Sequence, residues 1–327
     1  MNRRVFIVLL GGAIVALPGR GIAQTKDKVY RLGSLTPSMP LSADSPAAAI
    51  LLGVLAERGF KLGHNLAYDA RAAGGENARI PGLLQDFKAS GIDAIVTIGY
   101  PTALAAKSSG IPTIIASGAG DPVATGLVQS LANPGGNVTG ISDVATTLST
   151  KRLSLLKQML PKLSKVAMLW NRDDLGMSMR YDASAKAAQA LGVTVLPLGV
   201  REPNDFNGVF EAMDREKPDA ILMVSDSLTL LNRKRVFEYA AGHHLPAIYE
   251  SDSIVRDGGL MSYGADATES FQRAAAMVDR IFKGAKPSEL PFEQPTRYLF
   301  VINLKTARAI GLDIPPMLVA LADEVIE

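Results

Sequence analysis

One pattern is written twice along this chain, and the repeat restricts the fold more than any single motif does. Between residues 31 and 117 four short apolar runs follow one another: Arg31–Leu35, Asn65–Tyr68, Asp93–Ile98 and Pro112–Ser117. Between 165 and 251 four more come in the same order: Lys165–Trp170, Val193–Leu196, Asp219–Val224 and Pro246–Ser251. The third and fourth members agree nearly letter for letter. Asp93-Ala-Ile-Val-Thr-Ile-Gly99 answers Asp219-Ala-Ile-Leu-Met-Val-Ser225, and Ile111-Pro-Thr-Ile-Ile115 answers Leu245-Pro-Ala-Ile-Tyr249. Stretches with helical spacing fill the intervals, and short apolar strands alternating with helices read as βαβ units on a parallel sheet. Two such sets predict two similar Rossmann-like α/β lobes facing each other across a cleft, an arrangement suited to capturing a small ligand.

A chain of 327 residues with 47% apolar side chains can fill two cores of ordinary size. Residues 1–23 read as a secretory signal peptide: Asn2-Arg3-Arg4 is a positive start, Val5 to Leu17 an apolar stretch, and Gly21-Ile22-Ala23 a small-residue cleavage site. The apolar stretch is too short to span a bilayer comfortably, so an anchor or a buried first strand is the less favoured reading. Arg3-Arg4 before Val5-Phe6-Ile7 also resembles a twin-arginine signal, which leaves the export route open. Loss of Arg3, Arg4 and Arg20 with the leader brings the basic residues one short of the 32 acidic ones. The near-neutral mature chain has no basic footprint for nucleic acid. It also has no cysteine, which excludes disulfides, thiolate metal sites and thiol nucleophiles.

Further helices are predicted over Ser42–Gly59, Ala78–Ser90, Tyr100–Ser109, Ser149–Leu160, Met177–Leu191, Pro203–Glu216, Leu228–Gly242 and Thr268–Lys283. In Ser149–Leu160 the leucines share one face, while Lys151, Arg152 and Lys157 read as the solvent face. The Pro-rich stretch 286–295 is a linker to a last strand at Tyr298–Ile302. The economical arrangement assigns 24–140 and 262–292 to lobe 1, and 145–258 and 297–327 to lobe 2. Hinge crossings then fall near 140–148, 258–262 and 290–297.

This layout resembles the type I periplasmic binding proteins, the solute-capturing partners of ABC importers. The blocks Asp121-Pro-Val-Ala-Thr-Gly-Leu-Val128 and Leu131-Ala-Asn-Pro-Gly-Gly-Asn-Val-Thr-Gly140 resemble the ABC transporter substrate-binding family that includes tryptophan-binding proteins. Gly258–Gly264, Lys283–Pro287, Pro291–Thr296, Val301–Ala307 and Ile314–Ile326 continue the resemblance in order. It implies a periplasmic solute-binding component of an importer, monomeric and without a cofactor, that presents a loaded cleft to a permease in the inner membrane. The cargo it points to is an aromatic or branched apolar amino acid. A ligand sensor docking on a receptor and an exported α/β enzyme are the alternative readings.

In open α/β sheets ligands bind beyond the carboxyl ends of the strands. In the first repeat this rule selects Ser34, Thr36 and Pro37, then Gly99, Tyr100, Pro101 and Thr102, then Ser117, Gly118 and Asp121. In the second it selects Trp170 and Asn171, Ser225 and Asp226, Glu250 and Ser251, and the presumed hinge adds Tyr263. Free N–H groups near Pro101-Thr102 and Ser227-Leu228 would favour a carboxylate. Asp226 or Glu250 would receive an ammonium, and Tyr100, Trp170 and Tyr249 would face an apolar side chain. Plainer roles stand beside these: Asp226 as a helix N-cap, Trp170 as core, Asp121 as a turn cap and Tyr263 as a hinge residue.

Enzyme chemistry finds little support. Gly118-Ala-Gly120 lacks a third glycine at dinucleotide-binding spacing, and Asp173-Asp174 reads as a solvated pair. The chain has three His, of which His243 and His244 are neighbours whose side chains diverge. No catalytic residue and no metal ligand is assigned.

Overall fold

Asp93 and Asp219, which open the third run of each repeat, do the same job in both halves. Asp93 Oδ2 accepts the Arg31 N–H at 2.8 Å, and Asp219 Oδ2 accepts those of Ser164 and Lys165 at 2.8 and 2.9 Å. Each carboxylate thus satisfies the exposed start of the neighbouring strand and pins its register. The proline carbonyl before the fourth strand is reused as well: Pro112 accepts from Ile95 at 2.8 Å and Pro246 from Ile221 at 2.9 Å.

The structure is a computed structural model that describes residues 28–327 apart from 119 and 143; the expected signal peptide lies outside the described residues. The chain runs β1 (Tyr30–Thr36), α1 (Pro46–Glu57), β2 (Leu66–Ala72), α2 (Ile80–Ala89), β3 (Ala94–Ile98), α3 (Tyr100–Ser109), β4 (Thr113–Ser117) and β5 (Val138–Gly140). It continues with α4 (Ala145–Met159), β6 (Lys165–Asn171), α5 (Leu175–Ala190), β7 (Thr194–Val200), α6 (Asp205–Glu216) and β8 (Ala220–Met223). Then come α7 (Ser227–Leu231), α8 (Arg233–Gly242), β9 (Ala247–Tyr249), α9 (Asp252–Arg256), β10 (Met261–Ala265) and α10 (Ala267–Phe282). The last elements are β11 (Tyr298–Asn303), α11 (Leu304–Ala309), α12 (Pro316–Leu321) and β12 (Glu324–Ile326).

The strands form two sheets, β2-β1-β3-β4-β5 and β7-β6-β8-β9-β10-β11-β12. The order β2-β1-β3-β4 recurs as β7-β6-β8-β9, so the sequence repeat is a topological repeat. Pairing is parallel except between β10 and β11. Helices cover both faces of each sheet. Leu51 and Leu55 of α1 pack on one face of the first sheet, and Phe87 of α2 with Ala106 of α3 on the other. In the second lobe α4 and α5 cover one face, and α6 and α8 the other.

The chain leaves the first sheet after Gly140, and β10 stays with the second sheet because β9 and β11 flank it. The return crossing therefore lies at 265–267 rather than 258–262. After it α10 packs on α1, burying Phe271, Ala274, Val278 and Phe282 against the first lobe's core. Two such phenylalanines are worth about 2–3 kcal/mol each in apolar burial. The outgoing and last crossings run side by side: Ser142 N–H donates to the Glu293 carbonyl at 2.8 Å and Glu293 N–H to that of Gly140 at 3.0 Å. The helix expected over Leu228–Gly242 is two, broken at Asn232, whose side-chain amide donates to the Leu228 carbonyl at 2.9 Å.

Asp93→Ala and Asp219→Ala should each lower stability by about 1 kcal/mol, the usual worth of a lost cap. Because the two sites sit in different lobes, the double variant should lose the sum. Denaturant unfolding of the three variants checks this, and strong non-additivity would contradict it.

Candidate functional site

The carboxyl ends of β1, β3 and β4 face those of β6, β8 and β9 across a cleft holding a cavity of about 480 Å³. Its two walls differ in kind. The first lobe supplies Thr36, the Pro37–Leu41 loop, Ile98, Gly99, Pro101, Ser117 and Gly118, without one charged side chain. The second lobe supplies Arg152, Asp174, Arg180, Ser225, Asp226 and Glu250, with Met177 and Leu230 as apolar neighbours.

Glu250 organises the charged wall. Arg152 Nη1 donates to its Oε1 at 2.9 Å and Arg180 Nη1 to its Oε2 at 2.7 Å. Ser225 N–H adds a bond to Oε2 at 3.0 Å. Burial opposes the charge on Glu250, yet Arg180 and Arg152 hold its carboxyl below the usual carboxylate range. Arg152 also ties in β10, donating from Nε to the Tyr263 carbonyl at 2.7 Å. Asp226 caps α7 by accepting the Thr229 N–H at 2.8 Å, and its other oxygen accepts from the Asn171 amide at 2.6 Å. The Ser225 hydroxyl is buried without a hydrogen-bond partner.

Of the residues selected from sequence, Thr36, Pro37, Gly99, Pro101, Ser117, Gly118, Ser225, Asp226, Glu250 and Ser251 line the cavity. The others lie elsewhere, for definite reasons. Ser34 is buried in β1, accepting from the Tyr68 hydroxyl at 2.9 Å. Tyr100 turns into an apolar cluster with Ile115, Val138 and Phe292. Thr102 bonds back to the Ile98 carbonyl at 2.6 Å. Asp121 caps a turn, accepting from Val123 and Ala124 N–H at 2.9 and 3.0 Å. Trp170 stacks on Tyr181 in the second core, ring centroids 3.7 Å apart. Asn171 stands behind Asp226 as its donor. Tyr263 stacks with Tyr298, and Tyr249, buried under Phe237, lines a different cavity, with Ala247, Leu260 and Ile310. Among the described residues, no aromatic ring therefore lines the cleft. Glu250, expected as an ammonium receiver, is already held by two guanidiniums.

Arg152, Arg180 and Asp174 are absent from the sequence-based selection. Arg152 reads as part of a solvent face with Lys151, but it is only 2% exposed. The Asp173-Asp174 pair divides: Asp173 meets Arg201 at the surface, whereas Asp174 is buried as the N-cap of α5, accepting the Met177 N–H at 3.2 Å. A buried cap at a strand's carboxyl end was the one available signal.

The sequence matches the ABC transporter substrate binding protein family over residues 41–326. It is 26% identical over 260 residues to a tyrosine-binding protein of Clostridioides difficile, covering 79% of this chain and 74% of that one. A Streptococcus pneumoniae ABC domain in complex with L-Trp superposes with a TM-score of 0.81 at 25% identity, over 91% of this chain and 99% of that one. A ligand-free, open substrate binding protein with adhesive properties from Clostridium difficile gives 0.63 at 26% identity, over 88% and 96%. The first of these two structures superposes better than the second, at nearly equal identity. The architecture is the type I periplasmic binding protein fold.

Asp174 stands in electrostatic tension with its surroundings. Burial, and then the charge of Asp226, push its carboxyl from 3.8 up to about 6. A carboxyl raised in the folded state makes the native protein the better proton binder. Its ionisation therefore destabilises the protein near neutral pH by on the order of 3 kcal/mol, and the loss is recovered as pH falls below about 6. Asp174→Asn, which keeps the cap, should raise the melting temperature at pH 7 and flatten the gain in stability on acidification towards about pH 5. Thermal melts of both proteins across that range decide it, and parallel curves would contradict the assignment.

Proposed function

The chain belongs to the ABC transporter substrate-binding protein family, and from that premise we propose that it captures an aromatic or branched apolar L-amino acid for an ABC importer. Members of this family are extracytoplasmic solute-binding proteins rather than enzymes. The finer reading is export to the periplasm by the leader at 1–23, closure on the amino acid as a monomer, and delivery to a permease in the inner membrane.

The observation that carries the cargo is the asymmetry of the cleft: an uncharged wall rich in Pro, Met and Leu opposite a wall with both signs of charge. A zwitterion with an apolar body fits that contrast. Its side chain would lie against Pro37, Met39, Leu41 and Pro101. Its ammonium would sit near Asp174 and Asp226, relieving the repulsion between them. Its carboxylate would turn towards the Arg152 and Arg180 side and the buried Ser225 hydroxyl, through charge-assisted bonds. A sugar would leave these charges without counterparts. Binding of L-Trp and of tyrosine by relatives of similar length points the same way.

Thermal-shift screening of residues 24–327 tests the reading, because a ligand that binds only the native state raises the melting temperature with its concentration. Tyrosine, tryptophan, phenylalanine or leucine should stabilise the protein, and analogues lacking the amino group should not. Asp226→Asn and Ser225→Ala should each weaken binding by about ten- to hundredfold, as expected for a lost hydrogen bond to a charged group. Stabilisation by sugars or polyols alone would overturn the cargo.

A further inference from the structure

On both rims of the cleft the lobes touch away from the crossings, and glycine lies at each contact. After β4, Gly120 faces Gly176 in the first turn of α5: a Cβ built on Gly120 would stand 3.4 Å from the Gly176 Cα and 3.8 Å from its carbonyl oxygen. After β2, a Cβ on Gly75 would stand 3.1 Å from Leu231 Cδ1. Close by, Met39 of the first lobe and Leu230 and Leu231 of the second border one crevice of about 210 Å³. Gly176 is buried, and it lies between Asp174 and Met177, which line the cleft. The distance between the backbones at Gly120 and Gly176 thus fixes how far the charged wall advances on Ser117 and Gly118.

We propose that the Gly120–Gly176 seam is the closure stop of this protein, a pair of residues that sets how tightly the solute is held without touching it. The proposal rests on the solute-capture reading above. Affinity in a two-state cleft is the affinity of the closed form multiplied by its population. A Cβ on Gly120 would already be in van der Waals contact with the Gly176 backbone, so the seam holds a methyl at most in the closed arrangement, whereas a larger side chain would be free once the lobes part. Crowding of a packed backbone contact disfavours the closed arrangement, so a β-branched residue at Gly176 should lower the closed population about tenfold.

The chain contains no cysteine, so closure can be read by cross-linking with no solute present. Met39 and Leu231 are 61% and 43% exposed, and Met39→Cys/Leu231→Cys leaves the Gly120–Gly176 contact itself unaltered, at the expense of the Gly75–Leu231 contact on the other rim. Dibromobimane, which fluoresces strongly only after one molecule has alkylated two neighbouring thiols, should cross-link this pair within the monomer. Adding Gly176→Val should slow the reaction about tenfold. Gly176→Ala, which favours the helix, should slow it less but in the same direction. The exposed neighbour change Leu175→Ala should leave the rate unaltered. Alkylation by a monofunctional maleimide should proceed equally in all of them. An unchanged cross-linking rate in Gly176→Val and Gly176→Ala, with cooperative melts retained, overturns the seam, as does a parent pair that never cross-links. If no amino acid stabilises the protein and Gly176→Val still slows the cross-link, the seam stands and only the cargo reading falls.

Discussion

Two guanidiniums share one buried carboxylate at the floor of the cleft, and much of the second lobe is arranged around that fact. Arg152 comes from α4, Arg180 from α5 and Glu250 from the end of β9, while Ser225 after β8 and Tyr263 in β10 supply backbone partners. Five elements are therefore referenced to one point. Removing a member of such a cluster leaves a charge in a dry site and costs about 3–5 kcal/mol, whereas a well-packed apolar replacement of the whole cluster is often neutral. Its role is then better described as placement than as stability. The packing agrees: Gly264 passes so close to the Glu250 carbonyl that a Cβ would lie 1.9 Å from the oxygen, so any side chain there would displace Glu250.

The contrast between the walls follows from how each is made. The first lobe's wall comes from short loops and a helix start rich in proline and glycine, whose backbone polar groups are largely engaged locally, as in the Thr36 hydroxyl bond to the Met39 carbonyl. The second lobe's wall comes from helices α4 and α5 that aim long side chains into the cleft. One wall therefore offers shape and the other charge, and a bound molecule must satisfy both when the lobes meet.

The strands and their order were legible because the repeat is carried by residues with structural jobs: Asp93 and Asp219 hold strand starts, and Pro112 and Pro246 offer carbonyls to the same neighbour. Cavity residues at strand ends, such as Ser117, Ser225 and Asp226, were legible from topology alone. The aromatics were not. Tyr100 and Trp170 also stand at strand ends, but large rings at such positions turn into whichever core lies behind them. Arg152 and Arg180 were hidden for another reason. A basic residue on an amphipathic helix looks solvated until the packing of that helix is known, and the face that carries Lys151 into water is only one residue away from the face that buries Arg152. The second crossing lies later than expected because an apolar run beside Gly258-Gly259 looks the same whether it is a hinge or a strand.

The return of α10 to the first lobe has a consequence for how the molecule must assemble. The core under α1 lacks Phe271, Val278 and Phe282 until the chain has passed through the whole of the second α/β set. That set in turn lacks β11 and β12 until α10 has been placed. Neither half can be completed from a contiguous stretch of chain, so late, long-range contacts dominate the finished structure and folding is expected to be slow. During synthesis each half exposes an unfinished apolar face, the kind of surface that chaperones bind and that aggregates when left uncovered.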